Sequence, residues 1–179
     1  PMEELLGGDV YHWHHKLIFK DQQTSGAWAW HQDYGYWYDY ACLQPLLGSC
    51  LIAIDPATRD NGCLQVLAGS HHLGRIDHGS KGDQVGADPE RLAAIEERHE
   101  TVYATLDPGD AVFFHCNLLH RSDANTTADP RWALICCYNA ARNNPYRAIR
   151  HPQYSPLDIV DHAEVVRVGQ AQWSRLAAP

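Results

Sequence analysis

Residues 101–115, TVYATLDPGDAVFFH, contain two runs of β-favouring residues on either side of a turn. Residues 101–106 and 111–115 are rich in Val, Phe, Tyr and Thr, which fit a pleated and half-buried surface. The four residues between them, Asp-Pro-Gly-Asp, have the composition of a tight turn. This stretch is therefore predicted to be two short strands joined by a turn.

The same pattern extends along the chain in both directions. Turn signals such as Asp60-Asn61-Gly62 separate several of the runs. Five further runs have β-like character: residues 10–19, 27–30, 50–54, 63–67 and 132–139. Short strands that alternate with turn chemistry predict an all-β sandwich or barrel.

Two helices and one loop are predicted within this β pattern. Residues 88–90, Asp-Pro-Glu, supply an N-cap, a first-turn proline and an early acid, which predicts a helix over residues 91–98. A Ser and an acid three residues apart, Ser155 and Asp158, predict the start of a short C-terminal helix. Residues 74–87 are polar and glycine-rich, which predicts a mobile surface loop with the potential to act as a lid.

Length and composition limit the class of protein. The 179 residues are predicted to form one domain, and a hydrophobic fraction of 45% is enough for a closed core. A net charge of −8 disfavours binding to nucleic acid or to an anionic membrane. The sequence shows no membrane span and no signal-peptide pattern in its first residues, so it predicts a cytoplasmic protein.

Cysteine and histidine indicate different roles. The six cysteines form no C-x-x-C pair and lie mostly among aliphatic residues, which predicts buried reduced thiols rather than disulfides or a zinc site. Histidine occurs 12 times, often beside aromatic or β-favouring residues. This frequency makes a histidine-based metal site the first hypothesis to test.

The triplet His31-Gln32-Asp33 follows a predicted strand and is the first candidate metal site. Alternate residues of a strand point to one face, so the imidazole and the carboxylate can bind one ion. Such a triplet is common by chance, so a third ligand is needed to make a metal site convincing. His120, which follows the strand at residues 111–115, is the candidate third ligand. Two His and one carboxylate leave three iron positions for a cosubstrate and O₂, as non-haem Fe(II) oxygenases require.

Ordinary structural roles are the alternative for each of these residues. His31 and His120 could be hydrogen-bonded or exposed at strand ends, and Arg131 could be a surface residue after the Asp129-Pro130 turn. On a strand, His14 is expected to share a face with Lys16. The remaining histidines are expected to be structural or solvated.

The spacing of these residues resembles that of the phytanoyl-CoA dioxygenase family of iron- and 2-oxoglutarate-dependent oxygenases, including its ectoine hydroxylase branch. His31-x-Asp33, His120-x-Ser122 and an arginine eleven residues after His120, Arg131, match the family pattern. The resemblance covers about residues 10–143. Other segments that carry it are residues 30–34 (WHQDY), 60–64 (DNGCL), 68–71 (AGSH) and 109–115 (GDAVFFH).

This resemblance implies an all-β fold with minor helices, the double-stranded β-helix or cupin-like jelly roll. It implies that His31, Asp33 and His120 bind Fe(II) at one mouth of the barrel. It also implies a reaction in which O₂ drives decarboxylation of 2-oxoglutarate to succinate and CO₂. The resemblance implies that this reaction hydroxylates an unactivated C–H bond of a small-molecule substrate, with ascorbate as the reductant in vitro.

The resemblance further implies an anchor for 2-oxoglutarate, in which Arg131 pairs with the distal carboxylate and Ser122 donates a hydrogen bond. A planar guanidinium can hold a carboxylate by two parallel hydrogen bonds. Arg131 starts a strand face with small and apolar neighbours, Ala133, Ile135 and Cys137. Lys16 is expected near the cosubstrate because relatives often have a polar or cationic residue at that place.

The aromatic run at residues 34–40, YGYWYDY, directly follows the candidate metal triplet. Tyr36, Trp37 and Tyr38 are predicted to line a substrate pocket that excludes water, and a partly buried aromatic loop is the alternative. Asp33 itself favours hydroxylation, because related halogenating enzymes have a small residue in place of this carboxylate.

Two other classes of function remain open at this point. A divalent-metal hydrolase or isomerase on the same fold would not need Arg131 and Ser122. A non-catalytic binding or sensing module would bind metal without turnover. Family members usually have a helical portion before the first strand, and the chain is expected to lack it. The substrate and the oligomeric state do not follow from the sequence.

Overall fold

The computed structural model describes residues 1–21, 26–82 and 84–178. Each of the seven predicted strands is present, with ends shifted by at most three residues. Ten strands lie in the described ranges: β1 (Val10–Lys20), β2 (Trp28–His31), β3 (Leu47–Ala53), β4 (Leu64–Leu67), β5 (His78–Lys81), β6 (Gln84–Ala87), β7 (Thr101–Ala104), β8 (Ala111–His115), β9 (His120–Ser122) and β10 (Arg131–Ala140).

Eight of the strands form two four-stranded antiparallel sheets. One sheet has the order β1-β10-β3-β8, and the other has the order β2-β9-β4-β7. The strands β1 to β4 alternate between the two sheets, and so do β7 to β10. Residues from both sheets line one cavity between them. This arrangement is a jelly roll, so the predicted all-β double-stranded β-helix is confirmed.

A bulge in β1 determines which of its side chains face that cavity. The pairing with β10 passes from His12↔Tyr138 to His14↔Cys137, which leaves Trp13 as the extra residue. Trp13 is fully buried in the core. Beyond the bulge, alternate side chains of β1 line the cavity, and the shared face of His14 and Lys16 is confirmed: His14, Lys16, Ile18 and Lys20.

The described residues contain four α-helices: α1 (Met2–Leu6), α2 (Tyr34–Trp37), α3 (Pro89–Glu96) and α4 (His162–Leu176). The predicted helix after Asp88 is confirmed as α3, and the Asp88 side chain accepts a hydrogen bond from the Arg91 amide at 2.9 Å. Leu92 provides its buried contact.

The predicted start of the C-terminal helix at Ser155 is wrong. Residues 152–161 are exposed and contain no helix, and α4 begins at His162. Asp161 is the N-cap, and its carboxylate accepts from the Glu164 amide at 2.9 Å. Because helix nucleation is costly, the helix forms where a cap directly precedes a long run of helix formers rather than at an isolated cap signal.

The prediction of a loop over residues 74–87 is also wrong, while the mobility and lid role predicted for this segment stay predictions. β5 and β6 form an antiparallel hairpin in this segment. Ile76 and Ala87 are buried in a cluster with Trp30 of β2 and Leu67 of β4, so apolar side chains fix the hairpin to the second sheet. Asp83, in the same segment, lies outside the described residues.

The core is divided into clusters, one of which contains the buried aromatic residues Tyr11, Trp13 and Trp37. The predicted burial of the cysteines is confirmed for all except Cys136, which is partly exposed. In the described ranges, no helix combines the length and the apolar character needed to cross a lipid bilayer.

Candidate metal and anion site

His31, Asp33 and His120 meet in the cavity between the two sheets. His31 is the last residue of β2, His120 is the first residue of β9, and the two are Cα partners in the antiparallel register. Asp33 stands two residues after His31, as the N-cap residue of α2. The sheet therefore brings the distant histidine to the His-x-Asp triplet.

The three side chains form a group of metal-ligating geometry. The Nε2 atoms of His31 and His120 lie 4.0 and 3.9 Å from Oδ1 of Asp33, and one ligand atom from each residue lies within 4.8 Å of the others. Two ligand atoms that each bind the same ion at about 2.1 Å lie at most about 4.2 Å apart. Small movements of these three side chains are therefore enough for them to share one ion. Among the described residues, this is the only such group.

Both imidazoles are held in the tautomer that a metal ligand needs. Nδ1 of His31 donates to the carbonyl of Ala29 at 2.8 Å, and Nδ1 of His120 donates to the carbonyl of Leu118 at 2.9 Å. Each ring therefore presents an Nε2 lone pair toward Asp33. Burial, reinforced by His120, lowers the pKa of His31 to about 3, which keeps that lone pair unprotonated at neutral pH.

The Asp33 carboxylate is oriented by two hydroxyl groups. Tyr36 donates to Oδ1 at 2.7 Å, and Ser49 of β3 donates to Oδ2 at 3.2 Å. Burial raises the pKa of Asp33, but the two histidines and the Tyr36 hydroxyl together bring it below its usual range. The pKa of Tyr36 is raised well above its usual value by burial and by Asp33, so its hydroxyl remains a donor. The carboxylate is thus ionised and fixed in place.

The backbone between His31 and Asp33 is held by the hairpin β5–β6. His78 accepts a hydrogen bond from the Gln32 amide at 2.8 Å through Nε2 and donates to the Ile76 carbonyl at 2.7 Å through Nδ1. The fully buried Gln32 side chain donates to the carbonyl of Asn117 at 2.8 Å. The segment predicted as a mobile loop therefore directly supports the segment His31-Gln32-Asp33.

The substitution Gly35→Ala tests whether His78 supports the segment His31-Gln32-Asp33. A Cβ there would lie 2.1 Å from Nδ1 of His78, so Gly35→Ala must displace the imidazole. We expect a loss of about 1–3 kcal/mol in the free energy of unfolding, as is typical of overpacking, and weaker binding of Mn(II). Urea unfolding and equilibrium dialysis measure the two effects.

Gly79→Ala, in β5 of the same hairpin, is the matched control, because a Cβ there meets no atom within 4 Å. This variant is expected to behave like the parent protein. Equal behaviour of the two variants would mean that His78 can move aside without consequence for the metal-binding segment.

Arg131 lies at the other end of the cavity, 4% exposed, on the first position of β10. Its Nη2 donates to the carbonyl of Gly62 at 2.6 Å, whereas its buried Nε has no hydrogen-bond partner among the described residues. Gly62 has a φ of +77°, and a Cβ there would lie 2.3 Å from the Asp123 carbonyl oxygen. The Asp60-Asn61-Gly62 turn, recognised in the sequence only as a turn, therefore positions the guanidinium.

The cavity between the metal group and Arg131 has the charge of an anion site. The cavity is partly open to solvent. Ser122 and Lys16 both line it, as do Lys20 and Arg121, whereas Asp33 is the only carboxylate among its described lining residues. Its walls between these groups are apolar: Ile18, Leu51, Leu64, Phe114 and Ile135.

The three aromatic residues predicted to line a substrate pocket have different surroundings. Tyr36 lines the cavity. Trp37 is 1% exposed in the core, where its ring meets Trp13 and His14 edge-on. Tyr38 is 45% exposed and packs under the Arg75 guanidinium. The structure thus brings only Tyr36 to the cavity wall, and Trp37 supports that wall from behind through His14.

Trp37→Ala is accordingly expected to act on stability. Removing this buried indole should lower the free energy of unfolding by about 3–5 kcal/mol, because the cavity left behind is lined by rigid aromatic rings. Urea unfolding followed by circular dichroism measures the loss. Tyr38→Ala, at a half-exposed neighbouring position, should lose far less, and equal losses would contradict the core assignment.

Several residues of the site were missed by reasoning from the sequence. Ser49 contacts Asp33 and His78 contacts Gln32, from positions 16 and 46 residues away along the chain. Lys20 was overlooked beside Lys16, although alternation along β1 gives both side chains the same face. That alternation was the one available signal, and nothing local marks Ser49 or His78.

Comparison with protein families gives a match over most of the chain. Residues 1–133 match the sequence profile described as phytanoyl-CoA dioxygenase (PhyH). L-proline trans-4-hydroxylase of Streptomyces griseoviridis is 31% identical over 174 residues, which cover 84% of this chain and 62% of that protein. Ectoine dioxygenase of Sphingopyxis alaskensis is 34% identical over 153 residues, which cover 78% of this chain and 49% of that protein.

Solved structures agree with these relatives. The crystal structure of EctD from S. alaskensis with 2-oxoglutarate and 5-hydroxyectoine superposes with a TM-score of 0.76 at 27% identity, covering 89% of this chain and 58% of EctD. The structure of the same protein with bound Fe also gives a TM-score of 0.76, at 26% identity. The chain spans about half to three fifths of the length of the curated relatives it matches.

Proposed function

This chain belongs to the phytanoyl-CoA dioxygenase family, and we propose that it is a non-haem Fe(II)- and 2-oxoglutarate-dependent dioxygenase that hydroxylates a C–H bond of a small molecule. One observation carries the proposal. A buried group of two histidines and one carboxylate lies in the same cavity as a buried arginine whose Nε lacks a partner among the described residues. The first fits a metal ion, and the second fits the distal carboxylate of a dicarboxylic acid.

His31, Asp33 and His120 would hold Fe(II) through Nε2, a carboxylate oxygen and Nε2. Imidazole and carboxylate donors suit iron, and three protein ligands leave positions for a cosubstrate and O₂. With these bound, the group supplies oxidative decarboxylation of 2-oxoglutarate to succinate and CO₂, coupled to hydroxylation of the substrate. The carboxylate at Asp33 occupies the position that a halide would need, which favours hydroxylation.

Arg131 would bind the distal carboxylate of 2-oxoglutarate, with Ser122 and Lys16 as further contacts along the cavity. The guanidinium is held in advance by the Gly62 carbonyl, so little side-chain entropy is lost when the anion binds. The apolar walls between the two ends exclude water, which strengthens the charge pairing. Tyr36 and Ser49 would keep Asp33 in its ligating orientation.

A succinate assay tests the proposal. The protein is supplied with Fe(II), 2-oxoglutarate, O₂ and ascorbate, and with a panel of small substrates that includes L-proline and ectoine, taken from the names of its relatives. Substrate-dependent formation of succinate and of a product 16 Da heavier is the expected result. Binding of Mn(II) and 2-oxoglutarate without turnover of any substrate would favour a non-catalytic module, and failure to bind 2-oxoglutarate would favour a metal hydrolase or isomerase.

A further inference from the structure

The outer face of the sheet β1-β10-β3-β8 is apolar. Alternate side chains of these strands line the cavity, so the side chains between them point outward. The register places Leu17, Leu134 and Ile52 in one row across this outer face. In the next row, Phe19 lies beside Trp132. The outward positions of these four strands, all of which the structure describes, carry no Lys, Arg, Asp or Glu, although a sheet face in contact with water is usually polar.

Helix α1 covers only one end of this outer face, where Met2 and Leu6 pack with Cys50. The other end carries five large apolar side chains that are between 36% and 55% exposed, and we call this group the apolar patch: Leu17, Phe19, Ile54, Phe113 and Trp132. Together they expose about 500 Å² of surface, which is the size of the patches that commonly serve a function on soluble proteins.

Helix α4 has an apolar stripe and no buried residue along its described length. Five residues lie on one side of the helix at a spacing of 3.6 residues per turn and form this stripe: Val165, Val166, Gly169, Trp173 and Leu176. Trp173 is 73% exposed. A helix of 15 residues that contains three valines and a glycine is marginal in water on its own. We therefore expect α4 to need a packing partner.

The stripe and the apolar patch match in size as well as in polarity. Val165 and Leu176 are separated by about 16 Å along the helix axis, and the outer strands of the four-stranded sheet are about 14 Å apart. The stripe exposes about 500 Å², as the patch does. One helix can thus cover the patch across all four strands.

The segment before α4 is too short to bring the helix over the patch of its own chain. The Tyr154 amide donates to Oδ1 of Asn144 at 2.7 Å, and the Tyr154 ring meets the buried Tyr11 on the inner side of β1. Phe19 lies about 27 Å farther along β1 and points to the opposite side of the sheet. Residues 155–161 span at most about 25 Å when fully extended. The helix therefore fits the patch of another molecule better than its own.

We propose that the apolar patch is the docking surface for α4 of a second copy of this chain, in a two-fold dimer in which each copy lays its helix on the sheet of the other. Two-fold symmetry makes this contact occur twice. Two such contacts bury at most about 2,000 Å², within the range of about 1,200–2,000 Å² for stable interfaces, whereas one contact alone buries at most about 1,000 Å². A reciprocal pair of contacts thus reaches the area that a stable dimer needs, and a single contact does not.

Sedimentation velocity of the intact chain over about 1–100 μM tests this inference, and a dimer that dissociates on dilution is the expected result. Val165→Asp, in the stripe, should raise the dissociation constant at least about 100-fold, because each dimer then buries two unpaired charges. Val168→Asp is the matched control. Val168 is 48% exposed, against 55% for Val165, and lies on the other side of the same helix, so this variant should dimerise like the parent protein.

Phe19→Asp, in the patch, should weaken the dimer as much as Val165→Asp does. A mixture of these two variants at about 100 μM should then form a heterodimer, because the intact helix of Phe19→Asp can dock on the intact patch of Val165→Asp. Circular dichroism checks that both variants keep the fold of the parent.

Four results would each overturn the inference. A parent protein that is monomeric throughout the concentration range would mean that copies of this chain do not cover the patch. Parent-like dimers of Val165→Asp or of Phe19→Asp would place the interface elsewhere. A mixture without heterodimer would mean that helix and patch do not bind each other, and species larger than a dimer would mean that the contact is not reciprocal.

Discussion

His120→Ala is expected to abolish turnover and to weaken Fe(II) binding by more than about 100-fold. Loss of a residue that merely orients a ligand costs about 10- to 100-fold in metal affinity, and loss of the ligand itself should cost more. His120 is 6% exposed, and its Nε2 is held toward Asp33 by the Leu118 carbonyl. Anaerobic equilibrium dialysis measures Fe(II) binding, and 2-oxoglutarate consumption measures turnover.

His72→Ala is the control for this variant, because His72 is exposed and outside the cavity lining. It should bind Fe(II) and consume 2-oxoglutarate like the parent protein. Consumption of 2-oxoglutarate at the parent rate by His120→Ala would show that the ligand assignment is wrong.

Arg131→Leu is expected to raise the half-saturating concentration of 2-oxoglutarate by at least tenfold. Truncating one partner of a buried charge pair costs about 2–5 kcal/mol, and about 1.4 kcal/mol already corresponds to a factor of ten. The variant keeps an apolar side chain in a buried position, so the fold should survive the loss of the contact to Gly62. Succinate formation against 2-oxoglutarate concentration gives the change.

Arg131→Lys separates charge from geometry, since it keeps the positive charge but not the two-pronged hydrogen bonding. It should fall between the parent and Arg131→Leu. Unchanged 2-oxoglutarate dependence in Arg131→Leu would remove the anchor assignment and would favour the hydrolase or isomerase class instead.

The strands could be predicted because their signals are local. β8 and β10 are nearly continuous runs of aliphatic and aromatic residues, and each follows a turn that contains Asp and Pro, so their existence follows from a few adjacent residues. The short β9, three residues from His120 to Ser122, was not recognised because so brief a run carries no period. β5 and β6 were missed for a different reason: their glycines and polar residues suggest a loop, and the buried Ile76 that anchors them acts only through tertiary packing.

The aromatic run at residues 34–40 likewise has one property that the local sequence predicts and another that depends on tertiary structure. Its composition predicts partial burial, and that is what the structure has. Which rings face the cavity depends on the single turn of α2, which directs Tyr36 inward and Trp37 into the core. The sequence suggested no helix there because a four-residue turn of Tyr, Gly and Trp has little intrinsic helix propensity.

By itself, the sequence determined the all-β class, the spacing His31-x-Asp33, His120-x-Ser122 and Arg131, and the inward row of β1 that contains Lys16. These depend on residue type and on a period of two along one strand. Only the tertiary structure decided that His31 pairs with His120 across β2 and β9, that His78 supports Gln32, and that Lys20 lies opposite Arg131. These contacts join residues up to 111 positions apart, and their geometry follows from strand register and core packing, which no local pattern encodes.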